Sequence, residues 1–187
     1  MSAELQDLVA RFIEGDRKAF AELVRRYKKR IYSIAYRMLG NHLDADEVTQ
    51  EAFVRIYRKR GDIKSASFFS SLLLRIATNY AIDLIRKKQK GYVFIDSDTV
   101  AAASIQLQLV DKKMSPDRML ENEELMDEIR RAIEKLPPRQ RAAIVLHDVE
   151  GYSKSEVAAI MGCPQATVRS NLHIARSKLK KWLRKIL

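Results

Sequence analysis

The last 23 residues, 165–187, carry seven basic side chains and no acidic one. Apolar residues recur there at the spacing of one buried helical stripe: Val168, Leu172, Ala175 and Leu179. The side chains between them then face outward: Thr167, Arg169, Ser170, His173, Arg176 and Ser177. Hydroxyl, imidazole and guanidinium groups on one helix face can bond base edges and phosphates in the major groove of DNA. These residue types therefore predict nucleic-acid binding.

A shorter predicted helix precedes this basic helix. Ser153 and Glu156 have the spacing of a capping box. The turn comes at Gly162 and Cys163, and Pro164 stands where the first position of a helix tolerates a missing N–H. Two helices joined in this way indicate a helix-turn-helix, whose second helix enters the major groove. A helical hairpin with a solvated basic face is the alternative.

The net charge of +11 is distributed unevenly along the chain. Residues 1–90 hold 19 basic and 11 acidic side chains, whereas residues 116–164 hold 7 and 10. Two positive regions are therefore separated by neutral or acidic sequence. This distribution favours a polyanion bound at two places over a diffuse solubility charge.

An all-α fold of two small helical domains is predicted from 187 residues with only six Gly and four Pro. The domains span 1–90 and 116–187, each with four helices, and a flexible linker of residues 91–115 joins them. In the first domain we expect the second helix to be capped by Asp16 and the third to open at Asp44. The fourth is expected to run from about Ser70 to Lys88.

Several classes of function are disfavoured by the composition. Cys163 is the single cysteine, and the three histidines have no metal-ligand spacing, so neither a disulfide nor a metal site is predicted. Without a Gly-rich phosphate loop or a Ser/His/Asp signature, we expect no cofactor and no enzyme activity. The acidic amphipathic N-terminus does not resemble a signal peptide. We expect a cytoplasmic protein with no direct membrane insertion.

Three strings carry a more specific resemblance: NHLDADEVTQEAFVRIYR, SFFSSLLLRIATNYAIDLIRK and LPPRQRAAIVLHDVEGYSKSEVAAIMGCPQATVRSNLHIARSKLKKWL. In order and separation they resemble bacterial sigma factors of the extracytoplasmic-function group (ECF, group 4). The resemblance covers nearly the whole chain outside the linker. It implies a specificity subunit that binds core RNA polymerase and directs promoter-specific initiation by reading −35 and −10 DNA.

The stretch 44–53 matches the family segment that docks on the β′ clamp helices of the polymerase, with the β subunit as a further contact. The resemblance assigns polymerase binding to Asp44, Glu47, Gln50, Glu51 and Val54. A mixed polar face with carboxylates suits a basic coiled coil. An ordinary solvated face is the alternative.

The stretch 67–88 matches the family segment that melts and reads the −10 element. Base stacking on aromatic rings and cations along the strand serve this task. The candidate residues are Phe68, Phe69, Arg75, Asn79, Asp83, Arg86, Lys87 and Lys88. Core packing is an equal alternative for both phenylalanines. Leu72 stands where the family usually has tryptophan, which puts a melting role at that position in doubt.

The C-terminal helix corresponds to the family's −35 reader. Its candidate residues are Thr167, Arg169, Ser170, His173, Arg176 and Lys178. Asn171 and Ile174 occupy positions at which the family often has basic residues, so the remaining polar groups must carry more of the reading.

The resemblance also implies an anti-sigma factor, possibly membrane-bound, that releases the protein on a stress signal. Two other functions are compatible with the residues alone. The first is a transcription regulator that binds DNA by itself, with 1–115 as a sensor or dimerisation domain. The second is a helical interaction protein that mimics a sigma factor. A DNA shift with and without core polymerase distinguishes them.

Overall fold

The computed structural model describes residues 3–89, 91 and 116–184, and the side chains of the second segment from residue 125 onward. In the N-terminal module the helices are α1 (Ala3–Ile13), α2 (Arg17–Leu39), α3 (His42–Arg58) and α4 (Ala66–Gln89). In the C-terminal module they are α5 (Pro116–Glu134), α6 (Pro138–Ile144), α7 (Lys154–Met161) and α8 (Gln165–Leu183). Because the described residues form no strand, the predicted all-α class is confirmed. The linker prediction concerns residues that, apart from Gly91, lie outside the described part.

The ends of α2 follow from local sequence. The Asp16 carboxylate accepts the N–H groups of Lys18 and Ala19 at 2.7 and 3.2 Å, and so satisfies donors that the first turn leaves unpaired. At the other end Gly40 has a φ of 77°, a left-handed conformation that favours glycine. The cap at Asp16 was predicted from the sequence.

Two predicted boundaries are wrong. Helix α3 is capped by Asn41, whose side-chain oxygen accepts the Asp44 N–H at 2.9 Å, so Asp44 lies within the first turn. Helix α4 begins at Ala66, earlier than the expected start near Ser70. The Ser65 hydroxyl accepts the Phe68 N–H at 3.2 Å, which lets a serine-rich stretch open a helix instead of forming a loop. Both phenylalanines therefore lie in the first turn of α4.

The helix-turn-helix has the predicted local chemistry. The Ser153 N–H donates to Glu156 Oε2 at 2.8 Å, and the Glu156 N–H donates to Ser153 Oγ at 3.2 Å. Gly162 ends α7 in the left-handed region. Pro164 is the N-cap residue of α8, one position before the first helical position that was predicted for it. Before this unit, α6 continues into one turn of π-helix over Val145–Val149, which the sequence pattern did not predict.

Helix α4 packs against α1, α2 and α3 of the N-terminal module. It is long and apolar enough to cross a membrane by length and composition alone. However, Phe69, Leu73 and Ala77 on one side of it are at most 2% exposed and pack in the core. The apolar content of α4 is therefore explained by its position inside a helical bundle.

The two modules share one cluster of buried apolar residues, and polar groups add specific contacts between them. Arg37 on α2 pairs with Glu150, and Arg30 lies over the Tyr152 ring at 4.8 Å. The buried Arg141 guanidinium donates to the Met38 carbonyl at 2.7 Å and also to the Glu134 carbonyl. Burial lowers the pKa of Arg37 and of Arg141 from the ordinary value. The basic side of α2 thus meets the acidic part of the C-terminal module.

We expect Glu150→Arg to separate the modules, because it places a second guanidinium against Arg37. Small-angle scattering should then show a radius of gyration several ångströms above the roughly 16 Å of a compact chain of this length. Adding Arg37→Glu should restore the compact value. Glu128→Arg makes the same charge change on an acid paired within α5 and should have no effect. An unchanged radius for Glu150→Arg would show that this ion pair does not hold the modules together.

Candidate functional site

The residues predicted to bind polymerase lie on α3. Ala45, Val48 and Ala52 are fully buried on its inner side. A mixed polar surface, here called the docking face, lies on its outer side and consists of Glu47, Gln50, Glu51 and Val54. Val54 is 42% exposed, unusual for a large apolar side chain. The structure thus places these four residues together, as the helical spacing predicted.

Hydrogen bonds order the acidic part of the docking face. The Tyr80 hydroxyl on α4 donates to Glu47 Oε1 at 2.6 Å, and this bond raises the pKa of Tyr80 to about 12. Arg55 donates to Glu51 Oε1 at 2.6 Å and covers the Tyr80 ring at 4.7 Å. The two carboxylates therefore have fixed positions on either side of the exposed Gln50.

Asp44 does not belong to this face. Its carboxylate accepts the Asn41 side-chain amide at 2.7 Å and pairs with Lys88 at the end of α4. Its side chain is only 13% exposed. Two residues predicted for different sites are thus partners of each other, and they join the start of α3 to the end of α4.

An apolar cavity adjoins the docking face and was missed in the sequence. It has a volume of about 340 Å³ and is lined by Phe20, Phe53, Val54, Tyr57 and Arg58. Phe20 comes from α2 and the other residues from α3. Since the two segments are distant in the chain, spacing alone gave no signal for the cavity.

The residues predicted for −10 DNA fall into different environments along α4. Asn79, Asp83 and Arg86 are exposed on one side, with Phe68 40% exposed in the first turn. Lys87 is exposed as well. Phe69, by contrast, is fully buried and meets the rings of other core residues, so its assignment to DNA was wrong and the packing alternative is right.

Arg75 lies at the boundary between the modules. A Cβ atom added to Gly162 would be 2.6 Å from Arg75 Nη2, which places the guanidinium against the turn of the helix-turn-helix. Glycine at this turn therefore permits the close approach of α4. Arg75 is nevertheless exposed, so this contact with the turn leaves it open to solvent.

The outer side of α8 matches the predicted pattern. Arg169, Ser170 and His173 are exposed and Thr167 is half-buried. Val168, Leu172 and Ala175 are buried, which confirms that stripe. Lys178 is engaged by α6, because its Nζ donates to Gln140 Oε1 at 3.1 Å.

Arg176 is held by a residue that the sequence did not single out. Its Nε donates to Asp148 Oδ2 at 2.9 Å and its Nη2 donates to Asp148 Oδ1 at 2.5 Å. The hydrogen bond to Asp148 raises the pKa of Arg176 above the ordinary value. Asp148 lies in the π-helical turn, far from α8 in the chain, so only the folded chain brings the pair together.

Two family models match this chain. Residues 23–91 match the family model for Sigma-70 region 2, and residues 126–179 match that for Sigma-70, region 4. The chain is 38% identical over 173 residues to the ECF RNA polymerase sigma factor SigW of Bacillus subtilis, covering 91% of this chain and 92% of SigW. It is 37% identical over 182 residues to the ECF RNA polymerase sigma-E factor of Escherichia coli K12, covering 96% and 95%.

The chain belongs to the ECF RNA polymerase sigma factor family.

Solved structures support the fold of this sigma factor. CnrH, in complex with the cytosolic domain of CnrY, matches with a TM-score of 0.67 and 24% identity over 96% of this chain and 97% of the other. The sigma factor RpoE of Bartonella quintana, in complex with the anti-sigma factor NepR, matches with a TM-score of 0.63 and 23% identity over 89% and 98%. As a member of its family, this sigma factor binds core RNA polymerase and promoter DNA and directs transcription initiation.

Proposed function

We propose that this protein is a group 4 ECF sigma factor, non-catalytic and cytoplasmic, that requires no cofactor or metal of its own. Residues 1–90 bind core polymerase and open the −10 element, residues 91–115 form a linker, and residues 116–187 read the −35 element. One observation supports this assignment of polymerase binding and −35 reading to different modules. The chain presents a mixed polar docking face on α3 and an acid-free reading face on α8, each built on its own rigid module.

Polymerase binding is assigned to the docking face together with its apolar cavity. Glu47 and Glu51 are held by Tyr80 and Arg55, so little side-chain ordering remains when a basic partner binds. Val54 belongs both to the face and to the cavity wall. A basic coiled coil that carries one bulky apolar side chain fits both parts, and the β′ clamp helices are the proposed occupant.

DNA opening is assigned to the exposed side of α4. Phe68 offers a ring for base stacking, while Asn79 and Arg86 offer polar and cationic groups to an unpaired strand. Arg75 is exposed beside the turn at Gly162 and adds a further cation. Lys88 pairs with Asp44, but its side chain is 58% exposed at the end of the same helix, so it can also approach the strand.

The experiment that tests this function is run-off transcription with purified core polymerase and genomic promoter fragments. The expected result is transcripts from defined start sites only when the chain is added. A gel shift of the same promoters separates the alternatives, because a one-component regulator binds without core polymerase. Specific binding by the chain alone, with no transcripts in the presence of core, would contradict the proposal.

Arg169→Ala should reduce transcription in a manner that depends on the −35 sequence. A lost base contact costs about 1–3 kcal/mol, or roughly 5- to 150-fold in affinity. The measurement is holoenzyme binding to duplexes that differ at single −35 positions. His173 lies one turn further along α8, so His173→Ala tests a second contact of the same kind. Equal losses on every −35 variant would reassign Arg169 to the DNA backbone.

We also propose that an anti-sigma factor controls this protein. CnrH was solved with the cytosolic domain of CnrY and RpoE with the anti-sigma factor NepR, and both share this fold. A partner that stabilises the closed arrangement of the two modules would keep the turn at Gly162 against Arg75. Affinity capture of the tagged chain from unstressed cells should recover such a protein, and added core polymerase should displace it. Capture of core polymerase alone would oppose this mode of control.

A further inference from the structure

Asp148 holds Arg176 through two hydrogen bonds across the C-terminal module. The pair uses the Nε hydrogen and one Nη2 hydrogen of the guanidinium. A guanidinium has five N–H donors, so the edge formed by Nη1 and Nη2 keeps donors that no described residue accepts. The Arg176 side chain is 52% exposed. The Asp148 carboxylate thus binds the Nε–Nη2 edge of the guanidinium and leaves the Nη1–Nη2 edge accessible.

The π-helical turn Val145–Val149 fixes Asp148 itself. The Glu150 N–H donates to the Val145 carbonyl at 2.9 Å, which closes this wider turn. His147 Nδ1 lies 2.6 Å from the Tyr152 carbonyl, which ties the next residues to the turn. Single π-helical turns occur often at functional sites. The backbone that carries Asp148 is therefore held on both sides.

Arg176 lies on the same side of α8 as Arg169 and His173, seven and three residues after them. The rise from Arg169 to Arg176 is about 10 Å along the helix axis. When the N-terminal end of a recognition helix enters the major groove, residues this far along it approach the flanking phosphates. A planar guanidinium edge binds two phosphate oxygens at once.

We propose that Asp148 is a positioning residue, which holds Arg176 ready to bind a backbone phosphate beside the −35 element. This inference rests on the proposed −35 function of α8. Without Asp148 the long arginine side chain must be ordered when DNA binds, which weakens the contact. A carboxylate near DNA also repels phosphates, and its removal by that effect alone would tighten binding. Loss of positioning weakens DNA binding, whereas loss of the repelling charge tightens it. The direction of the change in affinity for Asp148→Ala therefore shows which effect dominates.

The experiment measures binding of holoenzyme, made from core polymerase and the full chain, to promoter duplexes over a series of salt concentrations. Arg176→Ala should weaken binding to all −35 variants alike and lower the slope of log K against log salt by about 0.9. Asp148→Ala should weaken binding about three- to tenfold with little change in slope, because the cation remains. In the Arg176→Ala background, Asp148→Ala should cause no further loss.

Two matched variants complete the test. Asp148→Asn keeps one acceptor oxygen and should fall between the parent and Asp148→Ala, which also covers the case in which the alanine variant melts early. Asp127→Ala removes a carboxylate that pairs with Arg130 in α5 and should leave DNA affinity within about twofold of the parent. Tighter binding by Asp148→Ala, or an equal loss without Arg176, would overturn the positioning role. If neither Arg169→Ala nor Arg176→Ala changes holoenzyme binding to any −35 duplex, the proposed −35 function itself fails.

Discussion

Phe69→Ala is expected to lower the free energy of unfolding by about 3–5 kcal/mol, the usual cost of removing a buried phenyl ring. The ring is fully buried and meets Tyr27 at 5.5 Å and Phe12 at 6.0 Å, both edge to face. The cavity left behind would face α1 and α2, which pack on α4. Denaturant unfolding of the free protein measures the loss directly.

Phe68→Ala is the matched control, one residue away on the same helix. Its ring is 40% exposed, so the free energy of unfolding should change far less than for Phe69→Ala. Binding to single-stranded −10 DNA in the holoenzyme should instead fall, since stacking of a base on an aromatic ring contributes about 1–3 kcal/mol. Comparable unfolding energies for the two variants would contradict the placement of Phe69 in the core.

Glu51→Lys is expected to weaken binding to core polymerase by about tenfold or more, equivalent to roughly 1.4 kcal/mol. The substitution reverses a charge at the centre of the docking face and also releases Arg55 from its partner. Titration of labelled core polymerase with the variant gives the dissociation constant. Combining it with Gln50→Ala should deepen the loss.

Glu22→Lys is a close control for this substitution. Glu22 has a side-chain exposure of 33%, against 32% for Glu51, and pairs with Arg25 one turn along its helix. The charge change is the same, but the site lies on α2 away from the docking face. Core affinity should therefore stay near that of the parent. A Glu51→Lys variant that holds core polymerase as tightly as Glu22→Lys would remove α3 from the interface.

Local sequence accounts for much of the secondary structure and for the reading face. The Asp16 cap, the Ser153–Glu156 capping box and the apolar stripe of α8 each involve residues within a few turns of one another. Their effect on the backbone depends on spacing alone, so the pattern of residues was enough. The start of α4 was misplaced because serine suits both a loop and a helix N-terminus.

Pairs formed between residues of different helices could not be predicted from local spacing. Asp44 and Lys88 were each assigned to an external partner, yet they bind each other. Arg75 was assigned to DNA without its contact at the turn by Gly162. Each side chain has a polar group that suits several partners, and only the packing of α3, α4 and α7 selects among them.

The sequence by itself determined the helical class, the helix-turn-helix and the outward sides of α3 and α8, because helical periodicity fixes which residues share a face. Only the tertiary structure decided which of the residues assigned to a surface are buried or bound to another residue. It buried Phe69 while leaving Phe68 in solvent, and it placed Asp148 against Arg176. The physical reason is that burial and ion pairing depend on distances between segments remote in the chain, which no local pattern encodes.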